Sequence, residues 1–543
     1  MSQSESAFEK KKFMGGVLVL LPATLFTKVV GLFYKIPLIA IVGVSGMAYF
    51  LAAYHIYSLL FVLSATGLPT ALSLAVARAV SEGKNGAVGR VFGVAMALFL
   101  SLGGVGTLAL TVGAPAIAAR LAMADAAASI VAIAPALFLS AFVGGVKGYF
   151  QGFHRMLPTA LCEVIEAAGK LFFGLGFAML AKSRALPTPM VAAYAIFGIT
   201  AGLALAALVL LVLWVASVLR QRRGASRDVA PLPTKGQTLR MLWRTAFPIT
   251  LSASVMSVVT LIDTALISGR LQAAGFAPEV ANAMYSSYGN LAVPLYNLVP
   301  ALLTPITLSL MPLLGGAMAT GGGDKGRTSL RAALRLALLL AAPAALGLGV
   351  FARPILSLVY QGQSEAIAIA APLLSLLALS LLPAALVSVM GAALQATGHT
   401  AVPVLAMGAG ALVKLGTELL LLPLSGVHIY AAPISTLACN GVVLIIEYAA
   451  LSGALPFDFF SYRDVLPPFL AALLGVASGG AIYLALLRLG APLSLLMLPV
   501  LPLTAAVFAW LALRFGAVGR EELLALPAGE KVCAFLEKHN FIK

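Results

Sequence analysis

The chain has 543 residues, of which 61% are hydrophobic and only 10% are charged, and its mean hydropathy is +1.03. An average soluble domain carries about 25% charged residues, so this composition excludes an ordinary soluble protein. The formal net charge is +16, yet no basic, aromatic-interleaved soluble segment is present that would bind nucleic acid. The three cysteines, Cys162, Cys439 and Cys533, lack the spacing of a metal site or a disulfide framework and are expected to be apolar fillers.

Apolar runs of about 20 residues, the length that crosses a bilayer, follow one another along the whole chain. Lipid-facing backbone groups must be hydrogen-bonded within their own segment, so we expect an all-α integral membrane protein with about fourteen transmembrane helices. The first run follows Lys10–Lys12 but continues past Ile36 without a cleavage site, which favours a retained helix over a signal peptide. The predicted centres lie near residues 25, 60, 102, 138, 169, 204, 254, 300, 341, 380, 411, 440, 475 and 502.

Short motifs recur in the same order and indicate two homologous halves. Residues 22–25 and 248–251 are PATL and PITL, and residues 69–73 and 305–309 are PTALS and PITLS. Transporters often build a binding site between such repeats. An even number of helices in each half gives both halves the same orientation, so the relating axis is expected along the membrane normal.

The predicted organisation has six parts along the chain. They are a cytoplasmic tail at 1–12, a first lobe of six helices at 13–219, a basic cytoplasmic linker at 220–240, a second lobe of six helices at 241–452, two further helices at 453–514 and an amphipathic cytoplasmic tail at 515–543. Lys and Arg concentrate in the alternate connections that share a side with the N-terminus. The positive-inside rule therefore places both termini in the cytoplasm.

Four lysines fall within the predicted spans, where a charge costs at least about 2.5–3.5 kcal/mol and requires a partner or a water-filled cavity. Lys28 and Lys35 lie on the first span, Lys170 on the fifth and Lys414 on the eleventh. We predict that these lysines line a cationic substrate-binding cavity. The fifth and eleventh spans are equivalent in the repeat, so Lys170 and Lys414 are expected to face each other across it.

Acidic groups and a histidine share these spans and are candidates for ion coupling or for charge pairs. They are Asp263, Glu166, Glu418 and His55. Glu166 with Lys170, and Lys414 with Glu418, are separated by four residues, so each pair places opposite charges on one helical face. Such a pair could also simply neutralise itself and tie helices together. Glu163 and Glu447 lie near predicted membrane interfaces and are expected to be solvated there.

Prolines within the spans are predicted to act as hinges or gates, because each interior proline removes a backbone hydrogen bond and bends the helix. Static kinks are the alternative. The glycines of the fourth span are spaced for close helix packing. The prolines are Pro69, Pro294, Pro300 and Pro305, and the glycines are Gly144, Gly148 and Gly152.

Several segments together resemble the stage V sporulation protein B group, a branch of the multidrug/oligosaccharidyl-lipid/polysaccharide exporter superfamily that is allied to MurJ-type lipid II flippases. The resemblance extends over nearly the whole chain. Its segments are TLFTKVVGLFYKIPL (24–38), IVGVSGMAYFLAAYHIYSLLF (41–61), ATGLPTALS (65–73), VKGYFQGFHRMLPTALCEVIEAAGK (146–170), LIDTALISGRL (261–271), LQATGHTAVPVL (394–405) and LPAGEKV (526–532).

The resemblance implies a V-shaped, alternating-access transporter of two six-helix lobes with a cationic cavity and two additional C-terminal helices. It implies a bacterial cell membrane protein that flips undecaprenyl-pyrophosphate-linked sugars, such as lipid II, for peptidoglycan, spore-cortex or polysaccharide synthesis. Lys28 matches a basic residue on the first helix of the lipid II flippases. Phe61 stands where those flippases place an arginine, and Lys35 replaces an acidic residue, so their pyrophosphate clamp does not transfer.

No nucleotide-binding GxxxxGK[ST] motif is present, so no cofactor is expected, and H⁺, Na⁺ or the membrane potential is left open as the driving force. No metal site is expected. The predicted partners are the lipid-linked sugar, the bilayer and the wall-synthesis machinery, with the protein itself a monomer. The alternatives are a drug or cation antiporter of the same superfamily, a membrane enzyme acting on the same lipids, and a non-transporting scaffold for wall synthesis.

Overall fold

The computed structural model describes residues 26–27, 30–31, 33–65, 67–81, 85–153, 155–222, 234–319, 323–454, 462–489 and 496–517. Within these ranges the structure is helical and contains no β-strand, which confirms the predicted all-α class. Lys28, the termini and the middle of the predicted linker lie outside the described residues.

The first half of the described chain contains nine helices. They are α1 (Phe33–Val42), α2 (Val44–Ala65), α3 (Gly67–Ser81), α4 (Asn85–Arg120), α5 (Ala126–Ile133), α6 (Pro135–Gly152), α7 (Leu157–Ser183), α8 (Thr188–Arg222) and α9 (Lys235–Ala273).

The second half continues with α10 (Pro278–Ser286), a π-helical turn (Ser287–Ala292), α11 (Val293–Ala319), α12 (Gly323–Val350), α13 (Ala352–Val359), α14 (Ser364–Leu379), α15 (Leu381–Ala396), α16 (Ala401–Leu421), a 3-10 turn (His428–Tyr430), α17 (Ala431–Ala454), α18 (Tyr462–Arg488) and α19 (Met497–Arg514).

Ten helical segments of the described chain are long and apolar enough to cross a membrane, and an eleventh is counted if α14 and α15, bent by 45°, form one span. These segments cover eleven of the fourteen predicted centres. The centres near 254 and 300 fall in α9 and α11, which are not among these segments. The centre near 25 falls mostly outside the described residues. The structure thus shows a multi-pass membrane protein, while the count of fourteen is not confirmed.

The described chain divides into two compact units. Unit 1 comprises the described residues up to Gln272 together with Ala277–Ala283, and unit 2 comprises Ala273–Phe276 and the described residues from Met284 onward. α9, the first helix of the predicted second lobe, therefore packs with unit 1.

Hydrogen bonds of α9 account for this grouping. Gln272 Nε2 donates to the carbonyl of Ala122 at 2.8 Å, and Ser268 Oγ donates to Asn282 Oδ1 at 2.7 Å. A Cβ on Gly67, at the start of α3, would overlap Thr250 of α9, so the two helices are in close contact there. Tertiary contacts of this kind are independent of where a sequence repeat begins.

Glycines allow the helices of unit 1 to approach closely, as small residues do in membrane bundles. α7 and α8 meet at two such points: a Cβ on Gly198 would overlap the backbone of Gly174, and a Cβ on Gly202 would lie 2.8 Å from the carbonyl carbon of Gly169. A Cβ on Gly148 of α6 would lie 2.7 Å from the carbonyl oxygen of Pro69 of α3.

The junction of α1 and α2 depends on one glycine conformation and one lysine. Gly43 has a φ of 83°, in the left-handed region that glycine adopts without strain. Lys182, near the end of α7, donates from Nζ to the carbonyls of Ala40 at 3.2 Å and Ile41 at 2.8 Å. It thus satisfies carbonyls that the end of α1 leaves unpaired.

Unit 2 has an apolar core in which α11, α12, α15 and α17 meet. Its central members are fully or nearly fully buried: Leu303, Leu310, Leu314, Leu330, Leu334, Val389, Met390, Leu394 and Leu451. A smaller cluster of Phe351, Val476, Met497 and Val500 attaches α18 and α19 to this unit.

The predicted hinge prolines occupy different positions in their helices. Pro69 and Pro294 lie in the first turns of α3 and α11, and α11 continues directly from the π-helical turn. Pro300 and Pro305 lie in the interior of α11, whose start follows the π-helical turn. Their predicted gating role stays a proposal.

Among the cysteines, Cys162 and Cys439 are free and buried, as expected of apolar fillers, and Cys533 lies outside the described residues.

We predict that Gly198→Ala destabilises the protein and that Gly176→Ala does not. The added methyl at 198 overlaps the backbone of Gly174, a type of overpacking that costs about 1–3 kcal/mol. No atom lies within 4 Å of a Cβ at Gly176, which is on α7 as well. The apparent melting temperature of each variant in one detergent tests this, and equal melting of both variants would contradict the close α7–α8 contact.

Candidate functional site

Unit 1 gathers several of the sequence-predicted polar residues around one aromatic group. Lys35 is supplied by α1, His55 by α2, Lys170 by α7 and Asp263 by α9. The rings around them come from α1 and α2. We call the set Lys35, Tyr34, Tyr54, His55, Lys170 and Asp263 the unit 1 polar cluster.

Lys170 is the best-defined member of the unit 1 polar cluster. Its Nζ lies 5.4 Å from the ring centroid of Tyr34 and 5.2 Å from that of Tyr54. Both distances are within the roughly 6 Å range of cation–π attraction. Tyr34 is only 1% exposed, its Oη donates to the carbonyl of Ala195 at 3.4 Å, and the absence of a side chain at Gly174 leaves room for its ring. The cation is thus held against fixed aromatic faces.

Lys35 directly follows Tyr34, whose ring Lys170 faces, so the two lysines belong to the same part of unit 1. Neither lysine takes part in an ion pair with another described residue. In particular, the expected i,i+4 partner Glu166 is not within ion-pairing distance of Lys170; the charge of Glu166 instead acts on Tyr57 of α2. Two neighbouring cations without a carboxylate contact form an arrangement that favours an anion.

His55 and Asp263 lie on the side of the cluster formed by α2 and α9. His55 Nδ1 is 2.7 Å from Thr264 Oγ1, which fixes the imidazole to α9. The charges of Lys35 and Asp263 both act on His55. His55 therefore contacts α9 next to Asp263, a position compatible with either packing or proton transfer.

Glu163 behaves as predicted for a solvated residue. Its side chain is 29% exposed, and its carboxylate lies 3.9 Å from the ammonium of Lys147, whose side chain is 17% exposed.

Unit 2 contains a second charged pair, which is almost inaccessible. Lys414 Nζ lies 3.3 Å from Glu418 Oε1, with the two side chains 2% and 0% exposed. The ammonium also donates to Thr436 Oγ1 at 2.9 Å, and Ser435 Oγ donates to Glu418 Oε1 at 2.8 Å. Lys414 and Lys170 are therefore in different environments, one neutralised by a carboxylate and the other facing aromatic rings.

The prediction that Glu447 is solvated is wrong. Glu447 is only 1% exposed, and a Cβ on Gly391 of α15 would lie 3.2 Å from its Oε1. The position lies on the face of α17 that packs against α15, because Val443 and Leu451, one turn before and after it, are both fully buried.

The aromatic residues that face Lys170 are not among the site residues predicted from the sequence. Phe50, Tyr54, Tyr57 and Phe61 recur at helical spacing on α2, and successive rings lie 6.5, 6.3 and 5.8 Å apart. The spacing of these aromatic residues is evident in the sequence, but nothing in the sequence shows that α7 places a lysine against them.

Lys28 lies outside the described residues. Within them, no group of three or more His, Cys, Asp or Glu residues could hold a metal ion.

The family of the chain follows from comparison with known proteins. The family model described as polysaccharide biosynthesis protein matches residues 13–318, more than half of the chain, and the MatE model matches residues 248–419. The chain belongs to the polysaccharide biosynthesis protein family. With the relatives below, this confirms the resemblance to the stage V sporulation protein B branch of the exporter superfamily.

Three relatives from Bacillus subtilis (strain 168) align over most of the chain. Uncharacterized membrane protein YabM is 28% identical and covers 97% of both chains. Lipid II flippase MurJ is 23% identical over 86% of this chain and 88% of its own. Stage V sporulation protein B is 22% identical over 95% of this chain and 98% of its own.

Solved structures show the same fold. An inward closed conformation of lipid II flippase MurJ has a TM-score of 0.66 at 15% identity, covering 92% of this chain and 98% of that one. An inward-facing MATE family multidrug resistance transporter has a TM-score of 0.65 at 15% identity, covering 80% and 95%. Family and fold together place the chain among the membrane transporters of this superfamily.

We predict that breaking the buried pair from one side is far more damaging than removing it entirely. Lys414→Met leaves a buried carboxylate without its ammonium and should cost about 3–5 kcal/mol. Lys414→Met combined with Glu418→Gln should recover much of that loss. Glu163→Gln, at the partly exposed pair with Lys147, is the control and should cost no more than about 1 kcal/mol. The apparent melting temperatures of the variants test this prediction. A double variant as unstable as Lys414→Met would contradict the pairing of Lys414 with Glu418.

Proposed function

We propose that the chain is a flippase for a lipid-linked oligosaccharide. It moves the headgroup of lipid II, or of a related undecaprenyl-pyrophosphate-linked sugar, from the inner to the outer leaflet of the bacterial cell membrane by alternating access. The supplied precursor serves peptidoglycan, spore-cortex or polysaccharide synthesis. The relatives named as lipid II flippase and stage V sporulation protein B support this choice of substrate class.

One observation carries the proposal: Lys170 faces the ring of Tyr34, the residue next to Lys35 in α1, and neither lysine forms an ion pair with another described residue. A charge in a membrane span costs at least about 2.5–3.5 kcal/mol. A pyrophosphate provides the opposite charge that this arrangement lacks. In a medium of lower dielectric constant than water, the attraction is correspondingly stronger.

The chemistry of the proposed substrate fits a cationic site inside the membrane. The pyrophosphate-sugar headgroup is too polar to cross hydrocarbon, whereas the polyprenyl tail can remain in lipid. Lys35 and Lys170 would hold the pyrophosphate, joined by Lys28 of the same predicted span as Lys35. The rings of Tyr34 and Tyr54 keep Lys170 in place without neutralising it. Lys414, whose charge Glu418 already offsets, would reach the substrate only after that pair opens.

An ion gradient and mobile helices would complete the transport cycle. Asp263 or Glu166 would couple an ion to the return step, driven by H⁺, Na⁺ or the membrane potential. The prolines Pro69, Pro294, Pro300 and Pro305 would serve as hinges between the predicted lobes, 13–219 and 241–452. Both termini would lie in the cytoplasm, and the protein would act as a monomer alongside the wall-synthesis machinery.

A cation antiporter is the second candidate, because the MatE family model matches residues 248–419. Such a transporter would need an anionic binding site. Glu166 and Asp263 could supply acidic groups, but the two lysines beside them oppose the binding of a cation. The sign of the charge on the transported substrate therefore distinguishes the flippase from the cation antiporter.

We expect Lys35→Gln and Lys170→Gln to reduce flipping strongly while Lys235→Gln has no effect. The first two remove a cation from the unit 1 polar cluster, whereas Lys235 is exposed at the start of α9. Losing one partner of a desolvated charge contact costs about 2–5 kcal/mol, so activity should fall at least about tenfold. The measurement is the exposure of lipid II on the outer leaflet of a bacterium depleted of its own flippase, at equal membrane levels of each variant.

Rescue by the unchanged protein and by Lys235→Gln, together with failure of the other two, supports a flippase with a cationic site. Equal rescue by all four would exclude the role of the lysines. An unchanged protein that inserts into the membrane and does not rescue would exclude lipid II itself as the substrate.

Tyr54 should matter through its ring and not through its hydroxyl. Tyr54→Phe keeps the aromatic face under Lys170 and should retain most flipping, whereas Tyr54→Leu should reduce it about two- to thirtyfold, since a cation–π contact contributes about 0.5–2 kcal/mol. The same leaflet assay measures both. Loss of activity in Tyr54→Phe equal to that in Tyr54→Leu would show that the hydroxyl, and not the ring, is required.

A further inference from the structure

We propose that Glu447 is a proton-binding site in unit 2 that links the proton to the packing of α15 against α17. Nothing in the transport scheme above uses this residue, and the inference does not depend on which substrate is carried. The ligand is the proton itself.

The carboxyl group of Glu447 is almost completely buried. Glu447 is 1% exposed, and its Oε2 is buried and receives no hydrogen bond from any described residue. Its Oε1 lies against Gly391, where a Cβ would be only 3.2 Å away. The carboxyl group therefore fills the space that this glycine leaves on α15.

The surroundings of Glu447 on α17 are apolar on both sides. Val443, four residues earlier, belongs to a cluster with Val387, Ala406 and Cys439. Leu451, four residues later, belongs to the main core of unit 2 together with Val389 and Met390 of α15. The carboxyl group thus lies between two apolar clusters at the helix–helix contact.

No described charge compensates it. α15 contains no titratable residue. α16 contributes Lys414 and Glu418, which bind Thr436 and Ser435, and Thr436 lies eleven residues before Glu447, about 16 Å along the helix axis.

The other titratable groups on elements packed against α17 also leave it unpaired. These are Glu365, exposed at the start of α14, Tyr288 of the π-helical turn and Tyr296 of α11, whose hydroxyl groups contact Thr436 and Asn440, His428 and Tyr430 of the 3-10 turn, and Cys439 and Tyr448 of α17 itself. The α12 arginines Arg327, Arg331 and Arg335 form no ion pair with Glu447, and Arg335 donates to the carbonyls of Gly516 and Ala517.

An ionised carboxylate in such a place would lack both solvent and partner, which is far more costly than burying the neutral acid. The arrangement seen here is therefore that of the protonated carboxyl group. Loss of the proton would place a negative charge in the α15–α17 contact. The charge could be relieved only by separating the two helices enough to admit water or a counter-ion.

α15 is suited to such a movement. It is the second half of a span that bends by 45° where α14 ends and α15 begins, next to the buried Ser380. A change of packing at Gly391, in the middle of α15, could be accommodated at that bend. The proton on Glu447 would then favour the packed arrangement, and its release the separated one.

The test uses the purified full-length protein in nanodiscs and follows the neutral carboxyl C=O band by infrared difference spectroscopy between acidic and alkaline buffer. We expect the unchanged protein to show a band that disappears at alkaline pH and that is missing from Glu447→Gln. Glu163→Gln, which removes the partly exposed carboxylate beside Lys147, is the matched control and should keep the band.

A second measurement follows α15 directly, with a spin label on Gln395→Cys at its exposed end, in protein whose Cys162, Cys439 and Cys533 are replaced by alanine. The label should become more mobile as the pH rises in the otherwise unchanged protein, and should stay at its low-pH mobility in Glu447→Gln.

A carboxyl band that persists in Glu447→Gln would overturn the proposal, as would a label response that persists. Gln has the size of the neutral acid, so Glu447→Gln must also fold. If only Glu447→Asp folded, an ionised carboxylate would be required at this position, and the proposal would be wrong.

Discussion

The cost of placing a charge among apolar helices is the constraint on which the rest of this structure depends. At least about 2.5–3.5 kcal/mol per charge must be recovered from a partner, a cavity or a ligand. The chain meets this cost in three ways. Lys414 is neutralised by Glu418 3.3 Å away, Lys170 faces the rings of Tyr34 and Tyr54, and the buried Oε2 of Glu447 receives no hydrogen bond from a described residue, so this carboxyl group is proposed to keep its proton.

These three solutions have different consequences for function. A cation paired with a buried carboxylate holds helices together, as Lys414 does between α16 and α17, but has little charge left for a ligand. A cation on aromatic faces keeps its charge, and the neighbouring Lys35 increases the local positive potential. An anionic headgroup would lower the energy of that cluster, and this is why unit 1 is the proposed substrate site. A buried carboxyl group without a charged partner, such as Glu447, binds a proton and no anionic headgroup. Substrate binding in unit 1 and the proposed pH response in unit 2 therefore involve different residues.

The apolar helices follow from the sequence, since the bilayer fixes their length and composition, and the lysines stand out there because charges inside spans are rare. The i,i+4 spacing of Glu166 and Lys170 predicts an ion pair, whereas the ammonium of Lys170 lies over rings of α1 and α2 that spacing on α7 alone does not reveal. The solvated state predicted for Glu447 failed for a related reason: distance from a span end says nothing about which neighbouring helix covers the residue. The packing of α9 with unit 1 likewise depends on tertiary contacts such as Gln272 with Ala122.

The central claim is that unit 1 recognises an anionic lipid headgroup, and direct binding tests it without any transport step. Native mass spectrometry of the purified protein would compare undecaprenyl pyrophosphate with undecaprenol, which has the same tail and no phosphate. The unchanged protein should retain the pyrophosphate lipid far better than the alcohol, and Lys35→Gln with Lys170→Gln should remove that preference. Equal retention of the two lipids by the unchanged protein would contradict the claim.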